Sequence, residues 1–162
     1  MNKTFTNFLL AGFGMIISCA ASANNNNEKL LDSAPNPYQT MLVSVTNMTH
    51  SSCTRVNYYV THGHLVDGHI IPQQINKDET ITFLMEESAL GGPDVQMTYR
   101  CGDEAFRVRA WQRKCMLAYG CDTHAEVQSK MPHINVDEPV DVTNASRYWN
   151  MNGGVHFTVR EK

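Results

Sequence analysis

Residues 91–112 read GGPDVQMTYRCGDEAFRVRAWQ, and the spacing of apolar side chains in this stretch decides the fold. Val95, Met97 and Tyr99 are separated by Gln96 and Thr98, and Phe106, Val108 and Ala110 by Arg107 and Arg109. A period of two sends one set of side chains to a core and the other to solvent, which is the signature of half-buried strands. Gly102-Asp103 between the two runs is turn chemistry. The same alternation recurs at Met41, Val43, Val45, at Ile81, Phe83, Met85, and at Val155, Phe157, Val159. Further turn signals are Asp67-Gly68, Asn76-Lys77-Asp78, Gly91-Gly92-Pro93 and Asn152-Gly153-Gly154. Many short alternating runs with such punctuation predict an all-β domain, a single antiparallel β-sandwich of about seven to nine strands. Residues 112–131 lack clean periodicity and read as a long loop pinned by a disulfide.

The chain begins MNKTFTNFLLAGFGMIISCAASA, residues 1–23, which has the form of a secretory signal peptide. Lys3 supplies the positive start, Phe8 to Ile17 the short apolar run, and Ala21-Ser22-Ala23 the small residues for cleavage. The run is shorter than the ~20 apolar residues that span a bilayer, so no transmembrane anchor is expected. Ile16-Ile17-Ser18-Cys19 resembles a lipobox, and cleavage there would leave Cys19 as a lipidated N-terminus, the competing reading. Residues 24–37, rich in Asn and Pro, read as a flexible leader, which leaves 38–162 as the sandwich domain. Without the signal, 12 basic residues face 16 acidic ones, a net charge near −4 that argues against a nucleic-acid partner. The mature cysteines are then Cys53, Cys101, Cys115 and Cys121, an even set that reads as two disulfides in a secreted or periplasmic protein. Four cysteines allow three connectivities; a local Cys115–Cys121 bridge with Cys53–Cys101 tying distant strands is favoured.

Residues 61–70, THGHLVDGHI, hold the one arrangement that suggests metal chemistry. With Asp67-Gly68 as the two-residue loop of a type I′ hairpin, His62, His64 and His69 fall on one face. Three imidazoles could hold zinc, with an open fourth position for water. The rival expectation is a plain polar sheet face with no cofactor, since His62 lies a pleat beyond the other two and no general base is near. Nucleophilic catalysis finds no support: there is no G-x-S-x-G elbow, and the mature cysteines are taken up as bridges. Glu86-Glu87 and Asp137-Glu138 are sequence neighbours, so on a strand each pair would point to opposite faces.

Two groups are candidates for contact with a ligand or surface. Tyr148, Trp149 and Met151 lie in SRYWNMNGG, 146–154, where amphipathic aromatics on a loop suit a membrane interface or a sugar ring. Arg107, Arg109 and Trp111 share one strand face, suited to an anionic headgroup or sulfate, or to a charged outer face with Arg stacked on Trp. The order of MLVSVTNMT, HGHLVDGHIIPQQI, ETITF, the stretch 91–112 and GGVHFTVREK, spanning most of 40–162, resembles the aegerolysins and, more broadly, the actinoporin-type cytolysins. That resemblance implies a β-sandwich and a leaning toward surface or membrane recognition. An export signal and two disulfides are departures from the aegerolysin pattern, and no lipid-contact residue carries over. The expected function is an exported, non-enzymatic β-sandwich that binds a membrane lipid, glycan or protein surface, as a secreted bacterial factor acting on host or competitor cells. The alternatives are a zinc protein or hydrolase built on the three histidines and a structural subunit of an envelope assembly.

Overall fold

The computed structural model describes residues 39–113, 123–129, 131–137 and 152–162. These form ten strands: β1 (Thr40–Met48), β2 (Cys53–His62), β3 (His64–Leu65), β4 (Gln74–Ile75), β5 (Thr80–Glu86), β6 (Asp94–Cys101), β7 (Glu104–Gln112), β8 (Thr123–Val127), β9 (Ile134–Asp137) and β10 (Asn152–Glu161). They make two five-stranded sheets, the first in the order β3-β5-β1-β10-β9 and the second in the order β4-β2-β6-β7-β8. The predicted sandwich is present, with one pairing that departs from antiparallel: β1 and β10 run parallel, Val45 beside Phe157.

Each run of alternating residues delivers its apolar set to the space between the sheets. Met41, Val43 and Val45 of β1, Ile81, Phe83 and Met85 of β5, and Val155, Phe157 and Val159 of β10 meet Val95, Met97, Tyr99, Phe106, Val108 and Ala110 of the second sheet. All are buried, and Tyr99 stacks on Phe106 with ring centres 5.9 Å apart. Its hydroxyl donates to the Pro72 carbonyl at 2.7 Å, and burial holds the phenol proton well above its ordinary pKa. A phenol this far inside needs such a partner.

Both ends of the sandwich are fastened. At one end the buried Gln39 donates through Nε2 to Gln112 Oε1 (3.1 Å) and to the Arg113 carbonyl (2.7 Å), while Gln112 donates to Thr123 Oγ1 (2.9 Å). Gly153 makes room for this chain of amides: a Cβ there would lie 2.1 Å from both Gln112 Nε2 and Thr123 Oγ1. The expected turn at 152–154 is therefore the start of β10, and its glycine permits close approach instead of a bend. At the other end Cys53 and Cys101, opposed on β2 and β6, form a disulfide. Cys115 and Cys121 lie outside the described residues. Buried Asn47 closes the same end, donating to the carbonyls of Ser51, Ile75 and Asn76.

Two further sequence expectations are corrected. The stretch 112–131 contains β8, whose Ala125 and Val127 pack on the core edge; its polar partners His124 and Glu126 alternate with them over too few residues to register as a period. The hairpin at Asp67-Gly68 does not form. His69 N–H donates to the Val66 carbonyl at 2.9 Å, so a turn is present, but only Gly68 has positive φ (82°). A type I′ turn needs positive φ at both central residues; a single one at the third position belongs to a type II turn, whose twist splays the flanking strands. The chain accordingly leaves the second sheet at His62, turns at Gly63 (φ 77°), and pairs His64 and Leu65 with Glu86 and Met85 of β5. After the turn it crosses back, and Gln74 and Ile75 pair with β2.

Candidate ligand surface

The outward side of the second sheet follows from its register. Side chains opposite in phase to Val95, Met97 and Tyr99 form rows across the strands: Arg100 with Thr54 and Ala105, Thr98 with Asn57 and Arg107, Gln96 with Tyr59 and Arg109, and Asp94 with His62 and Trp111. β8 extends the last two rows by Glu126 and His124. The alternation read from the sequence thus places Arg107, Arg109 and Trp111 on one outer face, and the fold adds Arg100 and Tyr59 to it.

These arginines differ in what they are free to do. Arg109 grips the buried carboxylate of Asp94 at both oxygens, Nε to Oδ1 at 3.0 Å and Nη2 to Oδ2 at 2.7 Å. Its guanidinium also lies 4.8 Å from the Trp111 ring centre, and Trp111 stacks on His124 at 5.1 Å. The Asp94 hydrogen bonds raise the Arg109 pKa further, so this charge is fixed and internally matched. Arg107 spends only Nε, on Thr98 Oγ1 at 3.3 Å, and Arg100 has no side-chain partner among the described residues. Tyr148, Trp149 and Met151, the loop candidates, lie outside the described residues.

The three histidines are not brought together. His64 Nε2 pairs with Glu86 Oε1 at 2.6 Å, His69 Nδ1 accepts from the Leu84 amide at 3.3 Å, and His62 sits against Gly91. Among the described residues no group of three or more His, Cys, Asp or Glu side chains is placed to hold a metal ion.

Sequence reasoning did not find the groove at the disulfide end, about 760 Å³, lined in part by Glu104, Met131, His133 and Glu161. His133 pairs with Glu104 at 2.6 Å, and His50 with Glu161. Shielding from solvent alone would raise the Glu104 pKa, but hydrogen bonds from the His133 side chain and amide and from the Ile134 amide hold it below the ordinary value. The His50 amide and side chain do the same for Glu161. A carboxylate whose folded pKa is depressed stabilises the fold above its unfolded value, near pH 4, and that contribution is lost as pH falls through the folded value. The pair Glu104→Gln with Glu161→Gln is therefore expected to flatten the loss of stability below about pH 4, read from urea midpoints at a series of pH values. An acid limb identical to that of the parent would count against this assignment.

Solved structures share this fold. IP-1A from Alcaligenes faecalis aligns with a TM-score of 0.53 at 17% identity, over 76% of this chain and 91% of that one. The lipid-binding protein Nakanori aligns at 0.58 and 13% identity, over 84% and 77%, and the RahU protein, solved with a Tris molecule, at 0.57 and 9%, over 76% and 96%. No protein-family model matches the sequence, and no curated protein matches it. The resemblance drawn from the sequence therefore extends to the fold, which is shared with a lipid-binding protein. Among the described residues no helix is long and apolar enough to cross a membrane.

Proposed function

We propose that this chain is an exported, secreted or periplasmic, non-enzymatic β-sandwich that binds the surface of a lipid membrane. The observation that carries the reading is the group of large apolar side chains left exposed on β2 and on the segment beside it. Val56, Tyr58 and Tyr59 of β2 are 53%, 41% and 60% exposed, and Ile70, in the segment that passes beside β2, is 71% exposed. Arg55 joins the two, donating to the Ile71 carbonyl while lying over the Tyr58 ring. Tyrosines with a dry body and a polar tip, beside a β-branched apolar residue, suit the headgroup boundary of a bilayer. The fold shared with a lipid-binding protein and the disulfide agree with this reading. Tyr148, Trp149 and Met151 remain contact candidates from their sequence, as do Arg107, Arg109 and Trp111. Glycan and protein surfaces are the competing partners.

Flotation with phosphatidylcholine vesicles tests it. The parent protein is expected to float with the vesicles, and Tyr59→Ala combined with Ile70→Ser to lower the bound fraction about tenfold or more, the loss of roughly 1.5–3 kcal/mol per fully buried apolar side chain. Trp149→Ala reports on the loop candidates. A parent protein that stays with the soluble fraction, or binding that none of these changes touches, would sink the membrane reading.

A further inference from the structure

Of the three arginines on the outer face of the second sheet, one is matched and two are not. Arg109 is held by Asp94, whereas Arg100 and the terminal nitrogens of Arg107 have no carboxylate or carbonyl partner among the described residues. Both unmatched side chains are exposed. The register makes them neighbours: Thr98 pairs with Arg107, Ala105 pairs with Arg100, and Arg100 follows Thr98 by two residues on the same strand face. Diagonal positions of this kind lie about 7–8 Å apart across an antiparallel pair, a span that two long side chains close easily. Thr98 Oγ1 already holds the Arg107 Nε from below, which orients that guanidinium and leaves its outer edge open. Thr54 and Asn57 flank the pair on β2, and neither is charged.

We propose that Arg100 and Arg107 form a site for a tetrahedral oxyanion of the phosphate-monoester class, presented by a lipid headgroup. The planar forks of two guanidiniums match the paired oxygens of such an anion, and each supplies charge-assisted hydrogen bonds. Arg109 stands outside the site as its fixed neighbour, because Asp94 takes its Nε and Nη2 donors and matches its charge. The proposal rests on the membrane reading for the source of the anion, and names which headgroup chemistry that membrane would carry.

The test is flotation with three vesicles: phosphatidylcholine alone, phosphatidylcholine with phosphatidic acid, and phosphatidylcholine with phosphatidylglycerol at matched surface charge. Titration with inorganic phosphate runs beside it. Phosphatidic acid is expected to strengthen binding, and Arg100→Gln with Arg107→Gln to remove about tenfold or more of that gain. Arg160→Gln, whose parent residue is paired with Asp137, should leave the gain in place. Both positions are exposed, and an unchanged urea midpoint shows that the double variant is folded. Equal gains from phosphatidic acid and phosphatidylglycerol, or a gain that the double variant retains, would overturn the site while leaving membrane binding intact. Binding of inorganic phosphate that the double variant loses, with no vesicle bound, would keep the oxyanion site and overturn the membrane source.

Discussion

Replacing Cys53 and Cys101 together by alanine is expected to lower the free energy of unfolding by about 4 kcal/mol. The bridge joins residues 48 apart in sequence, and in the loop-entropy description a ring of that length removes this much freedom from the unfolded chain. Both sulfurs lie in the core at the closed end of the sandwich, opposed across β2 and β6. Two alanines fill less space than a cystine, so a small cavity adds to the loss. Urea unfolding of the double variant against the parent measures it, and the slope should rise as the unfolded state expands. A difference under about 1 kcal/mol would mean that this ring does little to restrict the unfolded chain.

Phe157→Ala is expected to cost about 3–5 kcal/mol, the range for removing a fully buried aromatic ring. Phe157 sits on β10 beside Val45 of β1, which in turn faces Ile81 of β5, so one row of the first sheet runs through it. All three are buried, and the rigid β-ladder on either side restricts collapse into the space left behind. Val56→Ala, at a residue half open to solvent on β2, is the contrast: about 0.5 kcal/mol or less. Equal losses at the two positions, read from urea midpoints, would show that the core is not where the register places it.

Local patterning made the core legible. Every alternating apolar run named from the sequence points inward, although β1 is also covered on its other face at Leu42. Tertiary choices were not legible. The behaviour of Asp67-Gly68 depends on whether one or two residues take positive φ, and both turn types accept the same dipeptide. Gly63 redirects the chain from one sheet to the other at a point where a Cβ would meet the Glu86 carbonyl oxygen at 2.3 Å, a contact between distant segments that no local pattern encodes. The outer-face site was half visible. Alternation placed Arg107, Arg109 and Trp111 together, but the partner that takes Arg109 out of play, Asp94, is known only from the register of β6 on β7. Arg100 went unremarked for the same reason: its nearness to Arg107 is a diagonal across a hairpin.

The parallel pairing of β1 with β10 has a bearing on how the chain reaches its fold. Thr40 lies beside Asn152, so the centre of the first sheet joins segments 112 positions apart, and every other strand of the sandwich lies between them in sequence. Closing so distant a contact is entropically late, and topologies dominated by such contacts fold slowly. A polypeptide emerging N-terminus first, from a ribosome or through an export pore, could not complete this sheet until residues 152–161 had arrived. Whatever the second sheet does early, the first keeps an open edge at β1 until its last strand is released.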